Sequence, residues 1–201
     1  MLPANAPVLA ALALPNFYAI THAGEIGIPE QLRRLEWALA YGLELVQLRE
    51  PQLDTATHSA FAEATARTCR KYGARLLING DAGLARACGA DGLHLSAAQL
   101  AITEQRPDFA LVTASCHSAD ELNRAAALGC DFAVLGPVKE TASHPGRPGL
   151  GWDDFAAMLA VPPLPTFALG GLTREDKDLA QRAGAHGIAA IRAAWPPQRD
   201  S

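Results

Sequence analysis

Apolar residues along this chain gather into eight short runs, at 17–21, 45–50, 75–79, 92–96, 111–116, 132–136, 166–170 and 187–192. The runs are rich in Val, Ile, Leu and Ala and show little strict alternation, the pattern of strands covered on both faces. Between most of them lie segments with apolar positions three and four apart, at 29–42, 54–71, 82–88, 118–128, 153–160 and 174–183. Leu32, Leu35 and Leu39 form one such set. A glycine closes the preceding segment at Gly42, Gly73, Gly89, Gly129 and Gly184, where the left-handed conformation that ends a helix costs least. Strands alternating with helices predict parallel βαβ units, and eight of them close a small barrel. The expected fold is therefore α/β, a single compact TIM (β/α)8 barrel over residues 17–195, with a short or missing helix after strands four and eight. Residues 1–16 read as an extension or linker remnant and 196–201 as a tail. A doubly wound open sheet is the runner-up, weakened because no GxGxxG follows the first strand.

Composition narrows the functions. The 201 residues suit one domain with a sizeable core, and 49% hydrophobic with 19% charged residues argues against disorder. Lys and Arg number 17 against 21 Asp and Glu, with no basic stripe, so nucleic acid is not an expected partner. The apolar stretch in MLPANAPVLAALALP is too short to span a bilayer, and no Lys or Arg precedes Arg33, so neither a signal peptide nor a membrane helix is expected. The four cysteines show no metal-binding spacing and read as reduced thiols of a cytoplasmic protein.

Barrels of this type place their sites where the strands end. Strand two ends in Gln47-Leu48-Arg49-Glu50, and alternation turns Gln47 and Arg49 to one face, into the mouth. An arginine there calls for an anionic partner, either a ligand or Glu50 or Glu140. Strand three ends at Asn79-Gly80-Asp81, strand four at His94-Leu95-Ser96 and strand five at Ser115-Cys116-His117. Gly170-Gly171 after strand seven and the amides around Ile191 and Arg192 after strand eight fit a phosphate cradle, or only a tight turn. His94 and His117 read as caps, as satisfied polar groups or as site residues. Cys116 beside His117 faces the opposite way, which disfavours a thiol nucleophile. The connection GPVKETASHPGRPGLGW, 136–152, is long and polar, as a lid over the mouth would be.

In order and spacing, YAIT (18–21), VQLRE (46–50), LLIN (76–79), ADGLHL (90–95), SCH (115–117), GPV..T.S (136–143), ALGGL (168–172) and GIAAIRA (187–193) resemble the thiamin phosphate synthase and thiazole tautomerase superfamily. The resemblance implies a transferase of thiamin biosynthesis that joins a hydroxymethylpyrimidine pyrophosphate to a thiazole phosphate. It places pyrimidine and pyrophosphate on Gln47, Arg49 and Asn79, and pyrophosphate on Ser115, Thr141 and Ser143. The thiazole phosphate falls on Gly170, Gly171, Ile191 and Arg192. It also implies Mg²⁺, yet Gly80 stands where the first acidic ligand is expected. The second falls within Ser96-Ala97-Ala98-Gln99, which carries no acid, and Asp81 is the nearby carboxylate left for a metal. Pro51 and His144 replace two expected lysines, and Pro137 stands where the tautomerase carries a histidine. His144 is then the candidate acid/base, since a histidine titrates near neutrality. The alternatives are a metal-independent isomerase and a phosphate-binding module serving a Nudix hydrolase, because the SHPG loop and the LPANAPVL start are similar to synthase-like halves of Nudix fusions. A homodimer is expected by analogy with other small barrels.

Overall fold

The computed structural model describes residues 14–141 and 149–195. Eight strands, β1 (Phe17–Ile20), β2 (Leu45–Leu48), β3 (Arg75–Asn79), β4 (Gly92–Leu95), β5 (Leu111–Cys116), β6 (Phe132–Leu135), β7 (Thr166–Ala168) and β8 (Gly187–Ala190), close in sequence order into a parallel barrel. Each expected run contains one strand, and most strands stop one or two residues early, where the backbone turns outward into the mouth. Pairing of Phe17 with Ile188 and of Ala19 with Ala190 closes the ring between first and last strands.

The helices are α1 (Ala23–Ile26), α2 (Ile28–Ala40), α3 (Thr55–Lys71), α4 (Ala82–Cys88), α5 (Ala97–Ile102), α6 (Ala119–Leu128), α7 (Gly151–Met158) and α8 (Lys177–Arg182). The expected weak points are present: α5 after β4 has six residues, and a single 3-10 turn, Arg192–Ala194, follows β8. The small α1 was not legible, because four residues carry no periodicity to read. Caps set several starts; the side chains of Asp54, Asp81, Ser96 and Ser118 each accept a backbone N–H of the first turn.

Two apolar layers result. An outer layer of small and aliphatic residues, such as Leu35, Val46, Ile78 and Leu122, packs helices on the strands. An inner cluster of Tyr18, Ile20, Leu45, Leu77, Leu111, Phe132, Val134, Phe167 and Ala189 fills the barrel. Tyr18 meets Phe132 edge-on at 5.3 Å and Phe132 meets Phe167 at 5.0 Å between centroids. Each such buried ring contributes about 1.5–3 kcal/mol by transfer from water. The four cysteines are free and buried. Among the described residues no helix is long and apolar enough to cross a membrane. Ser143, His144, most of the 1–16 extension and the 196–201 tail lie outside the described residues.

Candidate functional site

The interior face changes chemistry along each strand. On β2 it runs Leu45, Gln47 and then Arg49; on β3, Leu77 and Asn79; on β5, Leu111, Thr113 and Ser115. Apolar positions fill the amino-terminal half, and polar ones gather where the strands open. Gln47 Nε2 donates to Tyr18 Oη at 2.9 Å, and Tyr18 Oη also bonds Thr113. His94 sits between hydroxyls, with Nδ1 2.7 Å from Thr113 Oγ1 and Nε2 2.8 Å from Ser115 Oγ. The result is a continuous row, Gln47–Tyr18–Thr113–His94–Ser115, that surfaces at the half-buried Ser115.

Burial pushes the His94 imidazole down to about 3, with the Arg49 charge adding to the same shift. His94 is therefore neutral, donating from one nitrogen and accepting at the other. Burial also drives the Tyr18 hydroxyl well above its usual range. The sequence left His94 open between cap, satisfied group and site residue. It is a satisfied group in the barrel centre, and Tyr18 and Thr113, not singled out as site residues, complete its row. The signal was their parity with Leu45 and Leu111 on neighbouring strands.

Arg49 lies at the end of β2, exposed, and forms no ion pair among the described residues. Its amide donates to Thr21 Oγ1 at 3.0 Å. Glu50, expected as a possible partner of Arg49, is instead buried and accepts from the amides of Ala23 and Gly24 at 2.6 and 3.0 Å and from Gln52 Nε2 at 2.7 Å. It anchors α1 at the rim. Asn79, the last residue of β3, has no side-chain partner among the described residues. Thr141 carries a buried hydroxyl that is likewise without a partner among them.

On the opposite side, Gly136–Glu140 lies along the end of β7. Val138 N donates to Leu169 O at 2.8 Å and Lys139 N to Gly170 O at 3.1 Å. Gly170 has φ +113°, and a Cβ there would fall 2.6 Å from Pro137 Cα, so close packing alone demands glycine. Both readings of this pair have support, because the amides of Gly170 and Gly171 have no partner among the described residues. Arg192 pairs its guanidinium with Glu25, so its side chain is engaged at the rim. His117 binds Gly136 O through Nδ1 at 2.6 Å and so braces the start of the long connection. Cys116 is buried on the outer layer with its thiol pushed up to about 12, unsuited to attack.

The donor set does not fit Mg²⁺, which requires oxygen ligands that include carboxylates. Asp81 Oδ1 accepts from Leu84 N at 2.8 Å and caps α4. Gly80 and Gln99 face each other with no acid between them: Gln99 Nε2 donates to Gly80 O at 2.8 Å.

Fold and rim together define a class, the closed (β/α)8 barrels whose strand ends receive a small anionic ligand. Within that class, the thiamine monophosphate synthase family matches residues 17–194, and the chain belongs to it. A putative thiamine-phosphate synthase of Geobacter sulfurreducens is 38% identical over 183 residues, covering 89% of this chain and 85% of the relative. The thiamine-phosphate synthase of Thermus thermophilus is 38% identical over 165 residues, 81% of this chain and 80% of its own. Among solved structures, the thiamine phosphate pyrophosphorylase of Pyrococcus furiosus superposes with a TM-score of 0.72 at 22% identity, over 88% of this chain and 85% of that one, which establishes the fold.

Proposed function

We propose that this chain joins a hydroxymethylpyrimidine pyrophosphate to a thiazole phosphate, forming thiamin phosphate and releasing pyrophosphate. The observation that supports the reading best is Arg49, a cation at the mouth with no ion pair among the described residues, set over a row of neutral polar groups. In such a reaction the bond from the pyrimidine methylene carbon to pyrophosphate oxygen breaks, the electron pair leaving with the pyrophosphate. The thiazole nitrogen then supplies its pair to that carbon. Charge accumulates on the departing oxygens, where a fixed guanidinium lowers the barrier more than it stabilises the ground state.

Gln47 and Asn79 orient the pyrimidine, and the hydroxyls of Ser115, Thr141 and Ser143 contact pyrophosphate. Neutral His94 fixes the direction of the Ser115 hydroxyl. Main-chain amides at Gly170, Gly171, Ile191 and Arg192 receive the thiazole phosphate. The reading carries with it a cytoplasmic location, consistent with the free thiols. A Nudix hydrolase as partner belongs to the alternative of a phosphate-binding module, and a second copy to the analogy with other small barrels. An isomerase of the thiazole alone, with His144 as its acid/base, is the second reading, favoured by a donor set that does not fit Mg²⁺. Incubating the protein with both substrates and following thiamin phosphate by chromatography tests the first reading. No product at any Mg²⁺ concentration sinks it, and conversion of the thiazole substrate alone moves the assignment to the second.

A further inference from the structure

At the corner between β3 and β4 two loops close on each other through neutral groups. Gly80 has φ +75°, and a Cβ built on it would lie 3.2 Å from Gln99 Oε1 and 3.3 Å from Gln99 Nε2. Any side chain at position 80 would therefore point at the Gln99 amide. That amide is already engaged: Nε2 donates to Gly80 O at 2.8 Å, while Oε1 accepts from Ser96 N and Ser96 Oγ, both at 3.1 Å. The nearby carboxylate, Asp81, is turned to the first turn of α4. Carbonyl and amide oxygens at this corner are thus occupied by hydrogen-bond donors, positions 80 and 99 carry no carboxylate, and Asp81 has Oδ1 committed to its cap on α4.

We infer that this chain holds its phosphorylated ligand without a divalent cation, the Gly80–Gln99 bridge occupying the corner where the family resemblance puts two metal carboxylates. The inference rests on the reading that the barrel mouth binds a phosphorylated ligand. It is consistent with the adjacent strand, where Arg49 at the end of β2 supplies positive charge and lies near enough to His94 to shift its titration. An acidic pair at positions 80 and 99 would be adjacent, as two ligands of one ion must be, because the Cβ of one meets the side chain of the other. Aspartate tolerates left-handed backbone better than most residues, so the pair is open to reconstruction by Gly80→Asp with Gln99→Asp.

Calorimetry with inorganic pyrophosphate, in chelator and in excess Mg²⁺, reads the difference. For the wild type, Mg²⁺ is expected to tighten binding less than about threefold; for the double variant, by about tenfold or more. Wild-type binding that tightens about tenfold with Mg²⁺, or thiamin phosphate formed only when Mg²⁺ is present, overturns the inference and leaves the synthase reading standing. Metal-indifferent pyrophosphate binding without product has the opposite effect, keeping the inference and removing the synthase. No binding in either condition overturns both. A folded double variant with no response to Mg²⁺ overturns the assignment of this corner. Should that variant fail to fold, the wild-type arms decide alone.

Discussion

At the amino-terminal end of the barrel interior Tyr18, Phe132 and Phe167 meet ring to ring among Leu45, Leu77 and Leu111. Two residues further along the same strands stand Gln47, Thr113 and Asn79, and beyond them Arg49 and Ser115. Tyr18 belongs to both halves: its ring packs with the phenylalanines while its hydroxyl receives Gln47. The lower half is a plug, and its energy comes from excluded water. The buried part of the upper half inherits that exclusion, so the hydrogen bonds of Gln47, Tyr18, Thr113 and His94 act in a low dielectric, where each is stronger, while Arg49 stands above them in contact with water. The polar row is held in place by the packed layer under it and by its own hydrogen bonds.

Substitutions on either side of that boundary should separate rate from stability. Arg49→Ala should cost turnover about a thousandfold or more, roughly 4 kcal/mol of barrier. Thermal unfolding should leave its midpoint nearly unchanged, since the side chain is exposed. Phe132→Ala, in the plug, should remove about 3–5 kcal/mol of stability by urea titration, with the remaining folded fraction still active. An Arg49 variant that unfolds readily, or a Phe132 variant that stays as stable as wild type, would erase the distinction.

His94 tests the join. Its pKa falls from the ordinary 6.5 to about 3 on folding, so below pH 6.5 the unfolded chain binds a proton that the native state refuses. Stability is then complete above about pH 6.5 and falls as pH drops toward 3, by up to about 1.4 kcal/mol per unit. Denaturant titrations of wild type and His94→Asn across that window should differ in slope, with the variant flatter. Equal slopes would mean that His94 is charged in the fold. The smallest effect is expected from Ser115→Ala, about tenfold in turnover or roughly 1.4 kcal/mol, with His94 retaining its bond to Thr113.

Each strand was legible because a buried parallel strand is a run of branched and aliphatic residues ended by glycine-marked turns. The rim candidates Gln47, Arg49, Asn79 and Ser115 were legible from parity and position at strand ends. Glu50 was misplaced among the partners of Arg49, since its true partners, the amides of Ala23 and Gly24, belong to a helix too short to leave a periodic trace. Gly170 was readable as a special glycine, but not that Pro137 presses on it, because the contact joins residues more than thirty positions apart.

The sequence by itself determined the closed barrel, its order of elements and the half of it that is polar, because periodicity and strand-end chemistry are local properties. Only the tertiary structure decided how those polar groups are spent. It holds His94 neutral between two hydroxyls from the next strand, leaves Arg49 without a counter-charge among the described residues, and joins Gly80 to Gln99 across a loop. Those outcomes depend on distances between separate strands and on the loss of water between them, and neither quantity is written in any single stretch of chain.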